Sequence, residues 1–445
     1  MSPNSEGCNV VNTIYRHLLP VAAICFCPAA AAFGQERIHA NPERMEERIL
    51  ALSQFGANPE GGVSRVAFSD ADLDGRKYIS GLMRDAGLDV RVDTAGNIIG
   101  RRAGRERGLP PILFGSHIDS VPGGGNYDGD VGVIGAIEVI ELLNENSIDT
   151  RHPLEVVSFT DEEGGLTGST AMIGKVTEQE LQLVSHSGMT TRDGIRRVGG
   201  DPDRIELSAR KPGDLAAYLE LHIEQGGILY AEDIDIGVVE GIVGIRWWEI
   251  TVDGMANHAG TTPMGHRSDA LVAAAELTLA INRVANDLEG RQVATVGRIQ
   301  AFPGAPNVIP GRVTMSLEIR DLDAAKMQKV FDLIQAEADR IAQARETAIR
   351  FEQSYAVLPA PTNERMRDII AAAADELGLS YRRMPSGAGH DAQDIALIAP
   401  VGMIFVPSVD GISHSPREFT SAQDMANGAS VLLHSILAVD NQFAD

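Results

Sequence analysis

The stretch Pro110–Gly129, PPILFGSHIDSVPGGGNYDG, decides how the rest of the chain is read. Its apolar run PILF, ending in small residues, reads as a buried strand whose carboxyl end opens into a loop. Open α/β sheets place their ligands at such an edge. His117 and Asp119 follow straight after the run, and Asp128 returns through a glycine-rich turn. Imidazole and carboxylate are ligands for first-row metals, and one carboxylate has two oxygens, so it can join two ions. Gly123, Gly124, Gly125 and Gly129 let the backbone turn tightly beside them. The competing reading is a surface turn with chance polar residues, and the rest of the chain counts against it.

Outward from this stretch, strands and helices alternate. Asn41–Phe55 has helical spacing with an Asn cap, and a second helix starts at Ser69-Asp70 and ends before Gly87. DVRVDT and NIIGRRA read as strands around a turn at Ala95-Gly96, and Val131–Asn144 as a helix packed behind the Asp128 loop. Leu154–Thr160, LEVVSFT, is another buried strand, and LELHIEQ, Leu219–Gln225, reads as a strand end. After Gly241 the texture changes. The strands IRWWEITVDG, ATVGRIQAFPG and VTMSLEIRD surround helices Asp269–Asn286 and Ala324–Ala344, and AIRFEQ closes the set. From Thr362 the strand–helix texture returns, with a helix to Glu376, the strand PVGMIFVPS and a final helix.

The expected fold class is α/β: a mostly parallel-sheet catalytic domain sandwiched by helices, interrupted by an inserted α+β, ferredoxin-like domain. The catalytic domain covers residues 35–243 and 356–445, and the insert covers 244–355. A chain of 445 residues is too long for one core, which agrees with two domains. A formal net charge of −24 excludes a nucleic-acid partner or an anionic membrane surface, since both need a basic footprint. An acidic enzyme that takes an anionic substrate needs local arginines to hold it. All three cysteines, Cys8, Cys25 and Cys27, lie near the start, so the body has no thiolate ligand, thiol nucleophile or disulfide.

That start reads as a signal peptide over residues 1–34. Arg16 and His17 precede the apolar run LLPVAAICFCPAAAAFG, with an Ala30-Ala31-Ala32 cleavage pattern. The run is too short to span a membrane. A cleaved leader implies a secreted or periplasmic protein, an uncleaved one a cytoplasmic protein.

Glu162 and Glu163 follow the buried run LEVVSF at a strand end, where adjacent side chains point in opposite directions. One can ligate a metal while the other faces a bound water. His222 and His414 complete the count: with His117, Asp128 and Glu163 they make five protein ligands, three per ion if Asp128 is shared. Three protein ligands plus water is the open arrangement of a catalytic site. Two such ions about 3.5–4 Å apart lower the pKa of a water between them and polarise a carbonyl.

These residues lie in the segments GSHIDSVPGGGNYDG, TDEEG, LHIEQG, NHAGTTPM, PNVIPG, LEIRD, SGAGHDAQ and GISHSPRE, in order from about Gly115 to Glu418. In them the chain resembles the di-metal amidohydrolase and metallopeptidase clan of aminoacylase and glutamate carboxypeptidase. Within that clan it is most similar to the branch of N-carbamoyl-L-amino acid hydrolase and allantoate amidohydrolase. The resemblance implies two divalent metal ions per subunit, one held by His117, Asp128 and His222, the other by Asp128, Glu163 and His414. Zinc is the default, with manganese, cobalt and nickel equally compatible with these ligands. It implies that Asp119 orients His117 and that Glu162 is the general base. It also implies a homodimer through the insert, in which the partner subunit's His258 stabilises the tetrahedral oxyanion. Asn307 and Arg320 would bind the substrate carboxylate, while Gln225 and His390 would contact the ureido group or the transition state.

One departure stands out. Where this branch commonly has a small residue followed by Arg-Phe, the chain reads EEGGLTGS, with Gly165 and Leu166 in that neighbourhood. The expected activity is hydrolysis of the C–N bond of an N-carbamoyl-L-amino acid or related ureido acid. Allantoate, ureidoglycolate, N-acyl amino acids and dipeptides stay open as substrates.

Overall fold

The computed structural model describes residues 37–442; the leader expected over residues 1–34 lies outside them. Two sheets organise these residues. The larger has nine strands, in the order Asp89–Val92, Ile98–Arg102, Leu154–Phe159, Ile112–His117, Ala217–Ile223, Val401–Val406, Ile236–Ile242 and Ala360–Pro361, with Tyr381–Ser386 also pairing Ile236–Ile242. The four strands Leu154–Phe159, Ile112–His117, Ala217–Ile223 and Val401–Val406 are mutually parallel, and antiparallel pairs flank them.

Period-two alternation decides which core each side chain enters. Ile112 and Phe114 pack with the helices Pro42–Leu52, Asp130–Glu145, Glu364–Leu377 and Ala422–Gln442. Leu113 and Tyr218 turn to the other face, against Met172, Leu229, Ala392 and Ile395. Strands buried on both faces lack polar alternation, so Ile112–His117 and Leu154–Phe159 read as continuous buried runs. The helix starts follow capping chemistry: Asn41, Ser69 and Asp269 each accept a backbone N–H of the first turn.

The second sheet has five strands and is antiparallel throughout. Its order is Ile299–Phe302, Arg312–Asp321, Gly244–Asp253, Ala348–Val357, with Val293–Thr295 alongside Arg312–Asp321. Helices Ala270–Asp287 and Ala324–Arg345 pack on it and share a separate core built on Trp248, Ile250, Leu277, Leu317 and Ile334. The chain order β-α-β-β-α-β with the first strand central is ferredoxin-like, as expected. One strand differs: ATVGRIQAFPG forms two short strands, because the chain leaves the sheet between Thr295 and Ile299. Among the described residues no helix is long and apolar enough to cross a membrane.

Candidate metal centre

Three neighbouring parallel strands end at one edge of the large sheet. Ile112–His117 delivers His117 and then Asp119, Leu154–Phe159 leads into Glu162 and Glu163, and Ala217–Ile223 carries His222 and then Gln225. Val401–Val406 lies beside the last of these and leads into the loop bearing His414. Asp128 reaches the same point just before the helix Asp130–Glu145.

Asp128 stands at the centre. Its Oδ1 lies 3.1 Å from His222 Nε2 and 3.7 Å from His117 Nε2. Its Oδ2 lies 3.1 Å from His414 Nε2, which is in turn 3.5 Å from Glu163 Oε1. The five residues therefore form two overlapping groups, His117–Asp128–His222 and Asp128–Glu163–His414, each compact enough to hold one ion. The rings are held for this task. His117 Nδ1 faces the Asp119 carbonyl at 3.0 Å and His222 Nδ1 the Ile223 carbonyl at 2.9 Å, so each Nε2 lone pair is turned toward Asp128. Gly129, at φ 70°, is required here because a Cβ would fall 2.5 Å from the His117 ring.

The donors fit divalent cations. His222 Nε2 and Glu163 Oε1 are buried without a hydrogen-bond partner, although charged groups stand near both. Burial, followed by Asp128, pushes the Glu163 carboxyl up to about 8. Burial and the neighbouring Asp391 and Glu163 raise Glu162 well above the carboxylate range. Burial would also raise Asp128, but His222 and His414 outweigh it and hold Asp128 well below. Reciprocally, Asp128 lifts His414 to about 9, and lifts His222 to about 9 against the opposing effect of burial. So many acids in one dry place repel each other until cations enter among them.

Asp119 orients His117 through its backbone carbonyl rather than its carboxylate, whose Oδ1 is 3.7 Å from His117 Nδ1. The carboxylate instead accepts the backbone N–H groups of Glu162 (3.2 Å) and Glu163 (3.1 Å), fixing the turn that carries both acids. That turn also corrects the strand-end reading of the pair. Glu162 and Glu163 open the short helix Glu162–Gly165 after a left-handed Asp161, so helical rotation separates their side chains, not strand alternation. Left-handed φ at Asp161, Leu166, Gln225 and His414 gathers backbone strain around the centre.

A cavity of about 200 Å³ opens on the centre, lined by Asp128, Glu162, Glu163, His222, His414, Gln225 and His390, with Leu166 and Ala388 as its apolar side chains. Gln225 Nε2 donates to Asp128 Oδ2 at 2.6 Å. His390 Nε2 pairs with Ser386 Oγ at 2.8 Å, and its ring meets His222 edge-on. The remaining expected residues lie on the second sheet and its ribbon, outside this lining. His258 and Asn307 come together there: His258 is exposed on a two-residue strand paired with Val308–Ile309, and the Asn307 carbonyl accepts from Ala259. Arg320 points its Nε and Nη2 at Glu318 and its Nη1 at the Gly387 carbonyl, 2.6 Å away in the loop leading to His390.

Sequence reasoning assigned nothing to Glu418, Ser413, Arg65 and Glu220. Arg65 is fully buried, pairs with Asp130, and donates to the Ile118 carbonyl between His117 and Asp119 at 2.6 Å. Glu220 accepts from Ser116 Oγ and from Ala392 N, tying the His117 strand to the turn after His390. No spacing in the sequence announces either. Only the placement of Ser413 and Glu418 inside GISHSPRE offered a signal.

The profile of peptidase family M20/M25/M40 matches residues 113–438. The N-carbamoyl-L-amino acid amidohydrolase of Geobacillus stearothermophilus is 41% identical over 399 residues, 88% of this chain and 97% of that protein. The ureidoglycolate hydrolase of Arabidopsis thaliana is 39% identical over 401 residues, 87% of this chain and 84% of that protein. A crystal structure of a hydantoinase/carbamoylase family amidase from Burkholderia multivorans superposes with a TM-score of 0.85 at 39% identity, covering 91% of this chain and 99% of that one. With its paired acid-and-histidine groups on one sheet edge, the chain belongs to the peptidase family M20/M25/M40, whose members are dinuclear metal-dependent hydrolases.

Proposed function

We propose that this chain hydrolyses the C–N bond of an N-carbamoyl-L-amino acid or a closely related ureido acid. The observation that carries the reading is the split of Asp128, one oxygen toward His117 and His222 and the other toward His414, with Glu162 beside them. His117, Asp128 and His222 would hold one divalent ion, and Asp128, Glu163 and His414 the other, zinc by default. Bound there, such ions lower the pKa of water and polarise a carbonyl.

The chain's own residues do the rest. The Glu162 carboxylate takes a proton from the attacking water and returns it to the departing nitrogen as the C–N bond breaks. Gln225 and His390 contact the ureido group from the cavity wall. Asn307 and Arg320 bind the substrate carboxylate; Glu318 takes the Nε and one Nη2 N–H of Arg320 and the Gly387 carbonyl one Nη1 N–H, which leaves one N–H on each Nη for that carboxylate. His258, exposed and not among the residues that line its own chain's cavity, suits the role of an oxyanion donor to a partner subunit, with residues 244–355 acting as lid and dimer contact. Export through the leader at residues 1–34 belongs to the same reading and rests on its sequence pattern.

Ureidoglycolate or allantoate is the second substrate reading, the first favoured by the similarity to the Arabidopsis enzyme and the second by 34% identity to an allantoate amidohydrolase of Escherichia coli. A panel of N-carbamoyl-L-methionine, allantoate, ureidoglycolate, an N-acetyl amino acid and dipeptides, run on stripped and reconstituted protein, decides among these. Turnover of a ureido acid only after metal is restored is expected, and preferential cleavage of dipeptides would overturn the reading. Glu162→Gln should lower kcat about 10²–10⁴-fold while both ions stay bound.

A further inference from the structure

Glu418 has no place in the mechanism above, yet it is 4% exposed and its carboxylate meets four donors. Oε1 accepts the backbone N–H of Tyr127 at 2.9 Å and of Asp128 at 3.1 Å. Oε2 accepts Ser413 Oγ at 2.9 Å and the backbone N–H of His414 at 3.2 Å. One side chain thus grips the backbones of two ligand residues far apart in the sequence. The space is shaped for it: a Cβ on Gly125 would collide with the Glu418 carboxylate. His414 needs such a hold, because it sits in a loop in left-handed conformation with its side chain half exposed.

We infer that Glu418 is a positioning residue that sets the spacing of Asp128 and His414, and so selectively fixes the ion held by Asp128, Glu163 and His414. The inference rests on the two-ion reading. His117 and His222 are held independently, by strand ends and backbone carbonyls, so their ion depends on Glu418 only through Asp128. Groups that orient metal ligands typically change affinity about 10–100-fold when lost.

The test uses cobalt(II) alone, with visible absorption to count the two ions and chelator competition to rank their affinities, on the full chain and on Glu418→Gln and Gly125→Ala. Glu418→Gln keeps the volume but loses half the acceptors, whereas Gly125→Ala displaces the carboxylate without removing it, so a folding failure in one leaves the other informative. The expected result is that the weaker-held ion loses about tenfold or more in affinity while the other changes much less, beyond any change in metal-free Tm. Equal loss of both ions in step with Tm, or no loss in either variant, would overturn the inference. Wild-type protein that takes up fewer than two cobalt ions would instead overturn the two-ion reading on which it stands.

Discussion

The two halves of the centre are built differently. His117 and His222 project from adjacent strands with side chains 2% and 1% exposed, each ring locked by a backbone carbonyl. His414 comes from a loop and is 47% exposed, and Glu163 stands in a four-residue helix. Strand ends inside a nine-stranded sheet cannot shift without disturbing the core, whereas a loop opens locally at low cost. The contrast teaches that one half is preformed and the other is assembled by its supports.

The strongest way to break this contrast is Asp128→Ala. Because Asp128 is the only residue shared by both groups, the variant should retain neither ion and show no measurable turnover. Metal analysis checks this, and one ion remaining per chain would show that the halves are independent. Next, His117→Ala should lose about tenfold more activity than His414→Ala, since it leaves a buried carboxylate without its partner where water cannot substitute. Comparing kcat/KM of the two variants at saturating metal sharpens or erases the difference. A milder probe is timed dialysis against a chelator. The ion on the His414 side should leave first, giving a one-ion intermediate in which His117 and His222 still hold theirs; simultaneous loss would contradict the asymmetry. The smallest effect is expected of Ser413→Ala, which removes one of the four donors to Glu418. A loss of about two- to fivefold in affinity, confined to the His414 side, corresponds to about 0.5–1 kcal/mol for one hydrogen bond.

The preformed half was also the more legible one in the sequence. His117 and His222 follow apolar runs long enough to be buried strands, so residue type and position together point to a metal; of the other half, only Glu163, after LEVVSF, is marked in the same way. His414 is separated from its strand, Val401–Val406, by a loop, and was reached only through the ligand count and the resemblance. Strand Tyr381–Ser386 went unread, because YRRMPS carries two arginines and a proline and behaves as an edge strand that pairs only with Ile236–Ile242. Ile236–Ile242 itself, just before the change of texture after Gly241, was also left without an assignment. The role of Glu418 was invisible for a different reason: its partners are backbone N–H groups, which every residue possesses, and only folding selects which ones it meets.

Strand Val401–Val406 lies between Ala217–Ile223 and Ile236–Ile242, so a segment that follows the insert in the sequence fills the middle of the sheet. A nascent chain that has emerged only as far as residue 400 carries an open slot there, with unpaired edges on the His222 strand and on Ile236–Ile242 and no His414 loop. The site for the second cation therefore cannot form until that strand and its loop are in place, and until then the slot leaves long exposed edges for chaperones to cover.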